Sequence, residues 1–161
     1  MRKTIEYISN LPHCEVLPPS GKPNIKDGLS LPVDLDEFYE SCGGARLFQN
    51  SEYGINIVTP QEFVLANPVI VGETFDDEDI SSNWYIVANN GGGEYITIDL
   101  GINRTGRCYD SFYDRHAVAG ESKIIAMSFM ELLERIMQSK GEYWYWLSNQ
   151  FDLGDAYDDV G

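Results

Sequence analysis

The feature that most constrains the fold is a pair of extended segments joined by glycines, WYIVANNGGGEYITIDL, between Trp84 and Leu100. Apolar and polar side chains alternate along its second half, with Ile96, Ile98 and Leu100 on one side and Tyr95, Thr97 and Asp99 on the other. Asparagine and glycine tolerate positive φ, so the stretch 89–93 predicts a hairpin turn. We therefore expect this hairpin to form the centre of an antiparallel sheet.

Two capped helical patterns flank the hairpin in sequence. In LPVDLDEFYESCGGARLF, Asp34 and Glu37 have the spacing of a capping box, and Gly43-Gly44 is typical of a helix end. In IIAMSFMELLERI, Ser128 and Glu131 form a second capping box. The apolar residues that follow each cap recur at helical spacing, and they are Leu35, Phe38, Tyr39 and Cys42 in the first and Phe129, Leu132, Leu133 and Ile136 in the second.

Shorter signals complete the secondary structure. Residues 3–10 predict a short helix, and ARLFQ and GINIV predict two strands around the turn NSEYG. Thr59 followed by Pro60 and Glu62 predicts another helix start, which Pro68 is expected to stop. The aromatic block YWYW (143–146) is expected to complete the core, and an exposed partner-binding patch is the minority alternative.

Runs of strands with segregated helices predict an α+β fold, with a central antiparallel sheet and a few flanking α-helices. Because the chain has 161 residues and no dividing linker, we expect a single domain over 1–161. Residues 1–30 form a proline-rich N-terminal segment within it, and residues 148–161 form an acidic C-terminal extension. The proline-rich stretch is expected to be ordered turns or an edge strand.

The net charge of the chain limits the classes of partner that it is expected to bind. Eleven basic residues against twenty-six acidic residues give a net charge of −15, which would repel nucleic acid and attract a basic protein. Acidity that serves only solubility is the competing interpretation. No segment is long and apolar enough to span a membrane, and no signal peptide is expected. Three widely spaced cysteines favour reduced thiols and a cytoplasmic location.

Residues able to do chemistry do not form a convincing site in the sequence. Cys108, His116 and Asp110 or Asp114 could supply a thiol, a base and an orienting acid, but Cys108 is expected to be a small core residue. The glycine run lacks the lysine of a phosphate loop, and His13-Cys14 has no second ligand pair at zinc spacing. The acidic clusters do not match a calcium loop. We predict no catalytic, cofactor-binding or metal-binding residue.

In their order, the three main segments resemble the SUKH superfamily, which includes fungal cell-wall-assembly regulators and many bacterial immunity proteins. The resemblance runs from Leu31 to Leu147 and is carried by the Leu31-Pro32 helix start, the ending GGGEYITIDL and the Ser128-capped helix. Glu94 departs from it, since the family often has aspartate there. The resemblance implies an α+β fold, a binding function and no catalytic residues.

The resemblance and the acidity together predict a non-enzymatic bacterial immunity protein that neutralises a cognate toxin, which could be a nuclease. A regulatory or ligand-binding domain, or a small acidic enzyme with a cleft on the sheet, remains an alternative. The partner is expected to be a basic toxin domain, bound without direct contact to nucleic acid or membrane. The candidate partner-binding residues are the acids of two clusters, namely Asp76, Asp77, Glu78, Asp79, Asp152, Asp155, Asp158 and Asp159. The polar face of the sheet and the turn 89–93 are the second choice.

Overall fold

The computed structural model describes residues 1–73 and 78–160. Its described residues form one antiparallel sheet of seven strands, in which each strand pairs with the next in sequence. The strands are β1 (Glu15–Val16), β2 (Ala45–Leu47), β3 (Ile55–Ile57), β4 (Trp84–Asn89), β5 (Tyr95–Asp99), β6 (Cys108–Ser111) and β7 (Ile124–Ala126).

Four α-helices accompany the sheet in the described part of the chain, so the predicted α+β class is confirmed. They are α1 (Arg2–Ser9), α2 (Val33–Ser41), α3 (Ala66–Ile70) and α4 (Phe129–Ser139). Short 3-10 helices span Ile80–Asn83 and Tyr145–Leu147. The proline-rich N-terminal segment contributes the edge strand β1. An edge strand was one of the two structures expected for this segment.

The hairpin β4–β5 lies in the middle of the sheet, as predicted, and both of its faces are buried. Ile98 pairs with Tyr85 on one side and with Cys108 on the other, so these three side chains share a face. Thr97 and Asp99 point to the opposite face and are also buried. The polar face is therefore not open to solvent, whereas the turn 89–93, the other part of the second-choice surface, is exposed or half-buried and stays a prediction.

Aromatic rings of α2 and α4 cover the face that carries Ile98. Phe38 of α2 meets Phe129 of α4 edge-on at a centroid distance of 5.0 Å. Tyr39 contacts Phe63, which stacks on Tyr85 of the sheet at 5.2 Å. Such offset and edge-on pairs bring large apolar area together with favourable quadrupole geometry. The helical spacing in the sequence thus identified the core correctly.

The N-terminus of α4 is capped from two places in the chain. Ser128 Oγ accepts a hydrogen bond from the Glu131 amide at 3.1 Å, as the capping box predicts. Asp34 Oδ2 accepts from the Met130 amide at 2.8 Å, although Asp34 lies in α2. The predicted capping box of Asp34 and Glu37 is wrong, since α2 starts one residue earlier, after Pro32. Within α2, Asp34 Oδ1 instead accepts from the adjacent Leu35 amide at 2.8 Å. A carboxylate at a helix N-terminus is also favoured by the helix dipole.

The glycine pair after α2 has a different role from the predicted helix end. The helix ends at Cys42, which is extended rather than left-handed. A Cβ atom on Gly43 would collide with the carbonyl oxygen of Pro18, and the Gly43 amide donates to Leu17 O at 2.9 Å. Gly43 is therefore required because the proline-rich segment passes against it.

The segment after β3 is wrongly predicted as a helix that Pro68 stops. Thr59 and Glu62 do form a capping-box contact, with the Glu62 carboxylate accepting from the Thr59 amide at 3.1 Å. They close only a turn, and α3 starts later and contains Pro68. Proline is tolerated there because the amides of a first helical turn have no partner within the helix.

Replacing Ile98 with Asp should lower the free energy of unfolding by about 4 kcal/mol, because a carboxylate would be buried without a partner. Ile98 is fully buried, whereas Ile102, in the following turn, is 85% exposed. Ile102→Asp is the matched control and should change stability by less than about 0.5 kcal/mol. Urea unfolding measures both, and equal stability of the two variants would contradict the buried face.

Candidate functional site

The two acidic clusters meet in the fold although they are far apart in sequence. Tyr157 Oη donates a hydrogen bond to Asp79 Oδ1 at 3.0 Å. This contact joins the segment that precedes β4 to the C-terminal segment 148–160. Asp76 and Asp77 lie outside the described residues, and Glu78 is exposed beside Asp79. The structure therefore makes one acidic surface from Glu78, Asp79 and the C-terminal acids.

The C-terminal segment is fixed to the sheet through β7. The Ile124 amide donates to Gly154 O at 2.9 Å, and the Ala156 amide donates to Ser122 O at 2.8 Å. These bonds form an antiparallel bridge between Lys123 and Asp155. Ala156 is fully buried. Segment 148–160 therefore presents its carboxylates from a fixed position.

The four predicted C-terminal acids also organise that segment. Asp152 Oδ1 accepts from the Gly154 amide at 2.9 Å, and Asp158 Oδ2 accepts from the Asp155 amide at 2.9 Å. Asp155 Oδ2 accepts from the amides of Gly120 and Tyr157, each at 3.0 Å. Asp159 forms ion pairs with two arginines of the β5–β6 turn, Arg104 and Arg107, at 3.5 and 3.3 Å. These acids therefore have a structural role whatever else they bind.

A cleft of about 490 Å³ opens between the C-terminal segment and the loop that follows β6. We call it the acidic cleft, and its lining residues are Asp110, Arg115, Gly120, Glu121, Lys123, Leu147, Asp152, Gly154, Asp155 and Asp158. Its two cations have internal partners. Arg115 pairs with Asp110 at 3.0 Å, and Lys123 Nζ donates to the carbonyl oxygen of Trp146 at 2.7 Å.

Asp155 and Asp110 give the acidic cleft its electrostatic character. Among the described atoms, Asp155 Oδ1 is buried and has no hydrogen-bond partner. A buried acceptor without a donor is costly. Burial raises the pKa of the Asp110 carboxyl, although the Phe112 amide and Arg115 oppose that shift. Asp110 therefore has donors from the protein, whereas Asp155 Oδ1 lacks one and is shielded from solvent.

A chain of buried hydrogen bonds links the polar face of the sheet to the acidic surface. Asp79 Oδ1 accepts from Ser81 Oγ at 2.7 Å, and Ser81 in turn accepts from Asn67 Nδ2 at 3.1 Å. Asn67 Oδ1 lies 2.6 Å from His116 Nε2, and His116 Nδ1 lies 3.0 Å from Ser111 Oγ. The core of the protein thereby sets the position of Asp79.

The imidazole of His116 is held neutral in this chain. Asn67 uses its amide nitrogen for Ser81, so its oxygen faces His116 and Nε2 carries the proton. Burial lowers the pKa of His116 from 6.5 to about 4. A neutral imidazole with both nitrogens bonded is a structural group, and catalysis would require one nitrogen to be open.

A buried carboxylate, that of Asp99, lies on the polar face of the sheet. Asp99 Oδ2 accepts from Tyr109 Oη at 2.6 Å and from Trp84 Nε1 at 3.2 Å. Its Oδ1 accepts from the Gly101 amide at 2.8 Å. Burial raises the pKa of Asp99, and these donors oppose the shift. We expected Asp99 on the polar side, but the alternation gives no sign that Trp84 and Tyr109 would enclose it.

The thiol, base and acid considered from the sequence do not come together. Cys108 and Ser111 lie on opposite faces of β6, and His116 contacts Ser111. Cys108 instead faces α4, where its Sγ lies 3.9 Å from the Ser128 carbonyl oxygen. Asp114 is exposed. The Cys108, His116 and Asp110 or Asp114 hypothesis therefore lacks its geometry.

Within residues 1–73 and 78–160, no group of three or more His, Cys, Asp and Glu side chains could hold a metal ion. In the same residues, no helix has the length and apolar character needed to cross a bilayer. The glycine turn is a hairpin connection, since Asn90 Oδ1 accepts from the amides of Gly92 and Glu94 at 2.8 and 3.1 Å.

Comparison with known proteins decides the family. The sequence model of the SMI1 / KNR4 family (SUKH-1) matches residues 26–135, which is more than half of the chain. The chain belongs to the SMI1 / KNR4 family. This SUKH-1 chain is also 52% identical over 157 residues to "Immunity protein YokJ" of Bacillus subtilis (strain 168), a match that covers 97% of this chain and 94% of the relative. No solved structure shows a significant match.

The family match confirms the predicted resemblance to the SUKH superfamily. It ends at residue 135, inside α4, and therefore does not include segment 148–160. One wall of the acidic cleft is thus built by residues beyond the matched range. In this SUKH-1 chain, the cleft combines residues inside the range matched by the family model with residues beyond it.

Thiol labelling should separate the three cysteines of this SUKH-1 chain. Cys42 and Cys108 are buried, and burial raises the pKa of both thiols, so each should react slowly until the protein unfolds. Cys14 is partly exposed and should react first. Mass spectrometry after timed alkylation, in native buffer and in urea, reports each site. Fast native labelling of Cys108 would restore the case for a reactive thiol.

His116 should make stability depend on pH. Because its folded pKa lies below its unfolded value, its contribution is present above about pH 6.5 and is lost as the pH falls towards 4. Between pH 7 and pH 5 we expect a loss of about 2 kcal/mol from this group. His116→Gln, which does not titrate, should lose correspondingly less in urea unfolding at the two pH values. Equal losses in both proteins would contradict the neutral buried imidazole.

Proposed function

We propose that this SUKH-1 chain is an immunity protein that neutralises a cognate toxin domain in the cytoplasm by binding it, without catalysis. The observation that carries the proposal is the joining of the two acidic segments into one surface through Tyr157 and Asp79. The 52% identity to a protein named as an immunity protein supports the same role. Buried thiols are consistent with a reducing compartment.

The partner surface that best complements this site is basic. The chain carries a net charge of −15, and the acidic cleft concentrates carboxylates from two segments around a shared opening. A lysine or arginine side chain of the toxin entering the cleft would pair with its exposed carboxylates, those of Glu121, Asp152 and Asp158. A nuclease toxin presents such cations to phosphate, so this chain would occupy the site as a charge mimic.

A binding role also agrees with the state of the buried titratable groups. His116 and Asp99 have strongly perturbed environments, a property that often marks catalytic residues. Both are enclosed by hydrogen-bond partners from the chain itself, and neither lines the acidic cleft. We infer that they hold the fold and that binding is the function of the surface.

We also propose that residues 1–161 act together as one domain. The N-terminal segment pairs with β2 through β1, and the C-terminal segment bonds to β7. Both ends of the chain are thereby attached to opposite edges of the same sheet. Removing either segment would disturb the scaffold that presents the acidic surface.

The test neutralises acids that face solvent and keeps the hydrogen bonds that hold the segment. Asp79, Asp155 and Asp158 accept backbone or tyrosine hydrogen bonds, so changing them would mix folding with binding. Glu121→Gln combined with Asp152→Asn leaves those three in place, and the Asn side-chain oxygen can still accept the hydrogen bond that Asp152 accepts from the Gly154 amide. With the product of a neighbouring gene that arrests growth when expressed alone as the partner, association should slow about threefold and depend less on salt. Exposed charges act mainly within a Debye length of ~8 Å.

Glu6→Gln with Glu37→Gln is the control, because it removes the same charge from exposed sites on α1 and α2. Stopped-flow or surface-plasmon measurements at several salt concentrations compare the two pairs. An equal effect of both pairs would show that only net charge matters and that the acidic cleft is not the contact. Failure of the wild-type chain to bind or neutralise that toxin would refute the immunity role itself.

A further inference from the structure

A groove between α1 and α4 differs from the acidic cleft in being lined mainly by apolar and basic side chains. It consists of two adjoining depressions of about 490 and 270 Å³, which share Tyr7, Met137 and Lys140. We call it the α1–α4 groove. Its lining residues are Lys3, Thr4, Tyr7, Leu11, Pro12, His13, Phe48, Asn50, Glu134, Met137, Gln138 and Lys140.

The groove combines an apolar floor with positive charge. Phe48, Met137 and Leu11 are half-buried and form its apolar surface, while the ring of Tyr7 is 60% exposed at its side. Lys3 and Lys140 line it against a single acid, Glu134. In a chain with eleven basic and twenty-six acidic residues, a groove whose charged lining is mainly cationic is a local reversal of charge.

The backbone around the groove is held in uncommon conformations. Four non-glycine residues of the described chain have left-handed backbone, and three of them line the groove, namely His13, Phe48 and Lys140. Left-handed backbone is costly for a bulky residue such as Phe48, whose φ is 56°. Phe48 is held there by contacts, since its amide donates to Cys14 Sγ at 3.5 Å and Gly141 lies so close that a Cβ atom on it would collide with Phe48 Cβ. Retained strain of this kind clusters at binding sites.

The α1–α4 groove is remote from the acidic cleft. Its residues 11–13 directly precede β1, and Phe48 directly follows β2, whereas the cleft lies at β7. Six strand spacings separate β1 from β7, which corresponds to roughly 29 Å across the sheet. A side chain bound in the acidic cleft therefore leaves the groove open.

We propose that the α1–α4 groove binds a segment of a partner protein that presents a large apolar side chain flanked by carboxylates. The apolar side chain packs on Phe48 and Met137, and the carboxylates pair with Lys3 and Lys140. The groove would thus bind an acidic and apolar segment, whereas the acidic cleft would bind a cationic side chain. This inference does not depend on the immunity role.

The test titrates ¹⁵N-labelled full chain with the synthetic peptide acetyl-Glu-Leu-Phe-Glu-amide and follows amide shifts by NMR. The peptide acetyl-Lys-Leu-Phe-Lys-amide and the fatty carboxylate decanoate are run in parallel. We expect the acidic peptide to shift amides of α1, α4 and residues 11–13 and 48, with dissociation constants at least fivefold below those of the other two probes. Lys140→Glu should weaken the acidic peptide at least fivefold.

Lys22→Glu is the charge-matched control, because Lys22 is exposed beside α2 and does not line the groove. It should leave the peptide affinity within twofold of wild type. The proposal is overturned by an absence of shifts in the groove, by equal binding of the two peptides, or by tighter binding of decanoate. It is also overturned if Lys140→Glu and Lys22→Glu act alike, or if sedimentation shows a dimer that Lys140→Glu dissociates. Thermal melts confirm that each variant is folded.

Discussion

Burial of the central hairpin on both faces is the constraint from which the rest of the structure follows. The side carrying Ile98 is apolar and needs only apolar cover, which the aromatic rings of α2 and α4 supply. The side carrying Thr97 and Asp99 is polar and has to be covered by groups that hydrogen-bond to it. Ser111, His116 and Trp84 fulfil that requirement. One half of the core is therefore held together by apolar packing, and the other half by hydrogen bonds.

The polar half of the core also determines where function can lie. Its hydrogen bonds continue from His116 through Asn67 and Ser81 to Asp79, at the surface. Tyr157 then joins Asp79 to the C-terminal segment. In this way a surface rich in mutually repelling carboxylates is held in one arrangement by neutral donors from inside the protein. A preorganised surface loses less conformational entropy when it binds.

The sequence was informative where a structural signal is local. The hairpin β4–β5 was predicted from alternation and its glycine turn, and α4 was predicted from the Ser128 capping box. Contacts between distant residues left no such signal. Asp34 was expected to cap α2, and its Oδ1 does accept from the Leu35 amide there, but its Oδ2 accepts from the amide of Met130, 96 residues away in α4. The sequence therefore identified the capping residue and only one of the two helices that it serves.

The candidate site likewise depends on contacts between distant residues, which the sequence did not predict. Its acidic residues were visible as clusters, but the contact between Asp79 and Tyr157 and the opening beside Asp155 depend on how the C-terminal segment docks. Alternation placed Thr97 and Asp99 on one side without showing that this side is covered, because the covering groups come from loops and from α3. The groove was missed because its residues come from three separate parts of the chain, namely 3–13, 48–50 and 134–140.

The docking of segment 148–160 has one more consequence, which concerns the solubility of the folded chain. An exposed outer strand offers free amides and carbonyls on which other chains can add strands and aggregate. At β7, Gly154 and Ala156 occupy those groups, and at the other boundary β1 is only two residues long and is followed by Pro18 and Pro19. The segment that displays the acidic residues thus also closes the sheet against edge-to-edge growth.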